Sequence, residues 1–359
     1  MMKSTFKITI LLFLIPLIGF ANTDPKQEKS KTIKKEYSVN RDATVIIDNK
    51  YGAINITTWN ENRVEITVKI TVKGNNMSTV EKKLQSIDVD FNANSSEVSA
   101  KTRFNNSGSR WSFWGNNNNL SYQVNYTIKM PVSNNVTLDN DYGTILIDQI
   151  NGRTAINCDY GKLLIGDLNN SANTINIDYC NGSSIGFMKA GLINADYSKI
   201  TVDKTDNIKI NSDYSTINIG TVNTVDYNTD YGSVNVDDVQ DITGNSDYAS
   251  IRIGTVAKNL NLKADYGSIK IKELANGFNI AEISSEYAGI TIGTKTNNNF
   301  NFIMNLQYAG FRYNKSNVDI FKSIEKNSKK YYEGNYGKGN NNSKLIIKSQ
   351  YGSVNLKEI

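Results

Sequence analysis

The sequence predicts an all-β chain: a parallel β-solenoid (β-helix) of rungs about 18 residues long, with a β-rich N-terminal insertion that carries one short helix. Three observations predict it. First, a short word recurs, an acidic or amide residue, then tyrosine, then a small residue, as in Asp141-Tyr142-Gly143, Asp159-Tyr160-Gly161, Asp178-Tyr179-Cys180 and Asp196-Tyr197-Ser198. From Tyr142 to Tyr266 successive tyrosines are separated by 18, 19, 18, 17, 17, 17 and 18 residues, a fixed period of the kind that marks stacked repeats. Second, the flanks alternate with period 2 and are rich in β-branched residues, the signature of strands. Third, the apolar parity changes at the word itself, which calls for a corner there.

The alternation is specific in position. Four residues before the tyrosine stand Ile156, Ile175, Ile193, Ile210, Leu262 and Ile283; three and five after it stand Ile145/Ile147, Ile217/Ile219, Val234/Val236, Ile251/Ile253 and Ile269/Ile271. Each repeat is thus two short strands joined by corners. The glycine after the tyrosine is expected to supply the positive φ that such a corner needs. One repeat cannot bury its apolar side chains alone, so equivalent strands are expected to stack in parallel at the ~4.8 Å strand spacing. The competing arrangement is an antiparallel meander, in which strands adjacent in sequence would pair through hairpins.

Taken in order, residues 1–21 read as a secretory signal peptide: Lys3 and Lys7, then an apolar run from Ile8 to Phe20, then Gly19-Phe20-Ala21 for cleavage. No cysteine follows for a lipid anchor, and no transmembrane anchor is expected after cleavage. Residues 22–39 are expected to be a flexible N-terminal segment. Residues 40–137 form an N-terminal β region. It opens with an isolated copy of the repeat, Asn49-Lys50-Tyr51-Gly52-Ala53-Ile54-Asn55-Ile56, followed by an alternating strand over Val64–Val72. Ser78–Leu84 is expected as the helix, with Ser78 as N-cap and Glu81 three residues on. Ile87–Phe91 and Leu120–Met130 are further strands, and Asn105–Asn119 an exposed Asn-rich loop holding Trp111, Phe113 and Trp114. Solenoid repeats fill 138–313. A polar, Lys-rich insertion occupies 314–342, with Lys329, Lys330, Tyr331, Tyr332 and Tyr336, and 343–359 is the final rung, carrying Tyr351.

Composition narrows the chemistry. The 359 residues carry 40 Lys+Arg against 35 Asp+Glu, a net charge of +5 with no basic block, so nucleic acid is not an expected partner. Histidine is absent, which removes the commonest general base and nitrogen ligand. The two cysteines, Cys158 and Cys180, lie in no CxxC or Cys/His pattern. Parity places them on opposite faces, so no disulfide is expected.

Four features could carry function. The aspartates before the tyrosines, Asp141 to Asp265, form a column that either caps the corners or attracts cations. The tyrosines form a second column, expected to be buried or half-buried because they share the parity of the inward isoleucines. Asn157, Asn176, Asn194, Asn211, Asn228 and Asn245 are expected to form an amide ladder. The aromatics of the Asn-rich loop could anchor a partner. Hydrolase and lyase sites need converging carboxylates or bases, whereas these carboxylates are spread by the repeat; no GxSxG, HExxH or phosphate loop is present. No catalytic, cofactor-binding or metal-ligating residue is assigned, and no cofactor is expected.

The leader, the segment NKYGAINITTWNENRVEITVKI and the DYG-x-(I/V)-x-(I/V) run together resemble a bacterial family of exported "putative adhesin" domains of unknown function, over roughly residues 40–359. The resemblance implies a β-solenoid exported across the inner membrane and transfers no functional residue. The expectation is an exported, non-catalytic, adhesin-like protein of the cell envelope, periplasmic or at the cell surface, that binds an envelope polysaccharide or surface protein. The alternatives are a periplasmic envelope-sensing or signalling docking component and a carbohydrate-active β-helix enzyme.

Overall fold

The computed structural model describes residues 26–105, 120–340 and 342–359. The signal peptide expected at residues 1–21 and the aromatic trio Trp111, Phe113 and Trp114 lie outside them. The described residues form one 22-stranded, mostly parallel sheet and a single helix.

The period sets the pairing. Thr154–Asp159 lies between Asn135–Asp141 and Asn173–Asp178, parallel to both, so that Ile156 sits between Leu138 and Ile175. Lys162–Leu168 likewise lies between Thr144–Ile150 and Ser183–Asp196. Ser183–Asp196 pairs with Lys199–Asp213, which pairs with the continuous extended segment Thr216–Leu274. Each strand therefore neighbours its equivalent one repeat away, and the antiparallel meander is excluded for these repeats. Ile145, Leu163, Ile200, Ile217, Val234, Ile251 and Ile269 form an inward column, all buried. The alternation read from the sequence is the inside–outside alternation of these strands.

The N-terminal region builds one end. Thr44–Lys50 pairs in parallel with Asn135–Asp141, and Ile54–Trp59 with Thr144–Ile150. The isolated first copy thus stacks directly on the second, across the long insertion between them. Gln27–Ser38, expected to be flexible, is instead a strand antiparallel to Arg63–Gly74, with Ile33 opposite Val68. Its many lysines are no obstacle, because it is an edge strand with a mostly exposed surface, where charge discourages further pairing. The helix spans Met77–Ser86 and its N-cap is Asn76, not Ser78; the Asn76 side chain accepts the Thr79 N–H at 3.2 Å. Asparagine is as good a cap as serine, and starting there lets Val80 and Leu84 both face the core.

The C-terminal end departs from sequence order. The last strands, Lys344–Gln350 and Val354–Glu358, insert between Ile280–Thr294 on one side and Phe300–Gln307 with Phe311–Arg312 on the other. The polar, Lys-rich insertion is a hairpin: Val318–Lys326 pairs with Lys329–Tyr336, which pairs antiparallel with Phe300–Gln307. Phe300 stacks on Tyr336 with centroids 4.9 Å apart, and this buried aromatic contact closes the core.

Candidate functional site

The corner of the repeat is the feature that singles out a surface. Twelve tyrosines, Tyr51, Tyr142, Tyr160, Tyr179, Tyr197, Tyr214, Tyr231, Tyr248, Tyr266, Tyr287, Tyr308 and Tyr351, all have φ between 47° and 63°. This left-handed conformation is costly for a residue with a side chain. The backbone secures it with hydrogen bonds to the neighbouring repeat: Tyr142 N–H donates to the Asp159 carbonyl at 2.9 Å, Tyr160 to Asp178 at 2.9 Å, and Tyr197 to Asp213 at 3.1 Å.

That conformation corrects two expectations. The positive φ belongs to the tyrosine at every corner and not, as expected, to the residue after it, where among the described residues only Gly267 also has one. Glycine at 161 answers a different need, since a Cβ there would lie 2.1 Å from the Gly143 carbonyl oxygen. The turn also shifts the parity one residue early. The inward positions are the second and fourth before the tyrosine and the first, third and fifth after it, and the tyrosine points out. The column expected to be buried or half-buried is 37–59% exposed.

The rings form one continuous stack. Successive centroids from Tyr51 to Tyr287, then Tyr351, then Tyr308, are 4.6–5.2 Å apart with planes within 11°. Tyr122 and Phe104 close the N-terminal end edge-on. Within the stack each ring face is taken by a neighbour, so an open aromatic platform is not what the column offers. It offers a row of ring edges and phenol groups about 50 Å long at the strand spacing.

Two further columns flank it. The amide ladder forms as expected at Asn157, Asn176, Asn194 and Asn211, the last three each donating to the preceding amide's carbonyl at 2.7–2.9 Å; Asn228 and Asn245 continue the row exposed at the surface. A second amide contact that the sequence reading passed over, Asn235 to Asn218 at 2.9 Å, lies on the strand after the corner. It was legible as asparagine four residues after Tyr214 and Tyr231.

The aspartates lie between the amides and the rings. Their backbone carbonyls serve the corner, while their carboxylates stand close together. Asp159, Asp196 and Asp230 are each raised above the ordinary carboxylate range, by desolvation first and then by neighbouring aspartates. Asp178 Oδ1 and Asp247 Oδ1 are buried without a partner among the described residues. Lys50 ends the row with an ion pair to Asp141 at 2.6 Å. Among the described residues no group of three or more Asp, Glu or Cys is placed to hold a metal ion.

Cys158 and Cys180 are both buried, with sulfurs 3.6 Å apart. The opposite-face expectation fails for the same reason as the tyrosine one: positions two before and one after the corner both point inward. Lys326, Lys329, Lys330 and Lys348, with Tyr331 and Ile324, border a cleft of about 560 Å³ at the C-terminal hairpin.

Fold and surface together define a β-repeat protein that displays an ordered polar and aromatic face. No protein-family model matches the chain, and no curated protein matches it. Several solved structures do match: a putative cell adhesion protein from Clostridium sporogenes ATCC 15579 (12% identity, 92% of this chain and 100% of that one, TM-score 0.15), a putative adhesin from Bacteroides fragilis NCTC 9343 (10%, 91% and 97%, 0.29) and a putative adhesin from Parabacteroides distasonis ATCC 8503 (11%, 91% and 97%, 0.31). Superpositions this loose assign neither fold nor function.

Proposed function

We propose that the chain is an exported, non-catalytic, adhesin-like binding protein of the cell envelope. In this reading a parallel β-solenoid of about 18-residue rungs is the scaffold, residues 1–21 are the signal peptide, and the tyrosine face is the working surface. The parallel pairing of equivalent strands supports the solenoid. The observation that carries the binding role is the column itself: twelve exposed tyrosines held in a costly backbone conformation where glycine, asparagine or aspartate would make the turn more cheaply.

The ligand follows from the surface. Phenols, amides and carboxylates repeat along one axis at the strand spacing, with ring faces occupied. A periodic row of hydrogen-bonding groups matches a periodic, hydroxyl-rich ligand, so an extended envelope polysaccharide is the partner. The carboxylates are spread one per repeat and do not converge on a point, in keeping with binding and not with bond cleavage.

The test is binding of purified protein to envelope polysaccharide fractions and to a glycan array, with the triple variant Tyr197→Asn/Tyr214→Asn/Tyr231→Asn as comparison. Asparagine tolerates the left-handed corner, so the fold is retained while the rings are lost. A tenfold or greater loss of polysaccharide affinity is expected. Unchanged binding by the variant, or capture of envelope proteins and no polysaccharide, overturns the reading.

A further inference from the structure

We propose that Cys158 and Cys180 form a disulfide that staples one repeat to the next. They are the chain's two cysteines. They stand at different offsets from their own tyrosines, yet the corner brings them together: both are buried, their sulfurs lie 3.6 Å apart, and the Cys180 thiol also donates to the Cys158 carbonyl at 3.1 Å. The proximity belongs to the corner and recurs in it. Ser215 Oγ makes the same diagonal contact to the Ala195 carbonyl, at 2.9 Å, between positions equivalent to Cys180 and Cys158. Only here does the diagonal join two thiols.

The bond needs the sulfurs to close to about 2.05 Å. Glycine at 161 leaves room for the Cys158 sulfur, since a Cβ there would stand 2.7 Å from Cys158 Sγ. One thiol loses its proton, attacks one sulfur of a small disulfide such as oxidised glutathione and expels one thiolate; the other then loses its proton, attacks the protein sulfur of the mixed disulfide and expels the second. The two protein thiols give up two protons and two electrons, and the oxidant becomes two thiols. Because both sulfurs are buried, exchange occurs while the corner is open, during folding.

The staple lies beneath the rings of Tyr160 and Tyr179, which stack at 4.8 Å, and would fix two neighbouring repeats in register. The experiment is refolding of the purified chain from denaturant in a reduced/oxidised glutathione buffer, followed by alkylation under denaturing conditions and mass spectrometry. The expected product is a monomer with neither cysteine alkylated, about 2 Da lighter than the reduced chain. Its Tm should fall by a few degrees on adding dithiothreitol, and Cys158→Ser should abolish that response. Two alkylated cysteines, glutathione adducts or disulfide-linked dimers after refolding overturn the bond. A bonded chain with a Tm indifferent to reductant overturns its role as a staple.

Discussion

Tyr287 and Tyr351 stack with centroids 4.6 Å apart and planes 2° apart, although Tyr308 lies far closer to Tyr287 in sequence. The C-terminal segment has taken the place between two earlier repeats, and Tyr308 stacks on the far side of Tyr351 at 5.0 Å. The chain's end is thus an interior layer of the sheet, hydrogen-bonded on both edges.

It follows that the C-terminus should behave as core. Leu345, Ile347, Val354 and Leu356 are all buried. We expect Ile347→Ala to cost about 2–5 kcal/mol, the range for truncating a core aliphatic, read from the urea midpoint. A frayed terminal strand would lose well under 1 kcal/mol, and that result would contradict the insertion.

The corner conformation gives a second expectation. Tyr214 has φ of 50°. Tyr214→Asn loses two ring contacts but keeps a residue that tolerates this region. Tyr214→Val loses the same contacts and adds the strain of a β-branched side chain at positive φ. The valine variant should be less stable than the asparagine one by about 1 kcal/mol or more. Equal stability would mean that the corner is not left-handed in solution.

Inward and outward positions should respond differently. Ile217 is fully buried in the middle of the column, and Ile217→Asp places an unpaired charge there, at a cost of several kcal/mol. Asp213→Asn, at the exposed corner, keeps the backbone carbonyl that accepts the Tyr197 N–H and should change stability by less than about 0.5 kcal/mol. Thermal unfolding of the two variants side by side decides it.

The carboxylate column makes a prediction about pH. Asp159, Asp196 and Asp230 have folded-state values raised by desolvation and by neighbouring aspartates. A raised carboxyl binds its proton more tightly in the folded chain than in the unfolded one. Its contribution to stability is therefore present below the unfolded value and falls as pH rises through the folded value. The variant Asp159→Asn/Asp196→Asn/Asp230→Asn should be the more stable protein at pH 7, and its advantage should shrink as pH is lowered toward 4. The gain is small, about 1 °C or less per site, because the groups are partly solvated. A variant less stable than the natural chain at pH 7 would show that the carboxylates do more for the corner by bonding than they cost by repulsion.

The sequence by itself determined the strands of the regular repeats, their period and their neighbours, because side-chain alternation is a local property and a regular repeat leaves one parallel register that keeps Ile156, Ile175 and Ile193 in line. The amide ladder came with that register. What it could not convey was the direction of the chain at one residue. A φ of about 50° at each tyrosine shifts the inside–outside phase by one position, and on that single torsion depend the exposure of the rings and the meeting of Cys158 with Cys180. Tertiary structure also decided the order of the last layers. Two strands with the same alternation can fill the same slot, and only packing against the hairpin Val318–Tyr336, with Phe300 stacked on Tyr336, selects Tyr351 over Tyr308 as the neighbour of Tyr287.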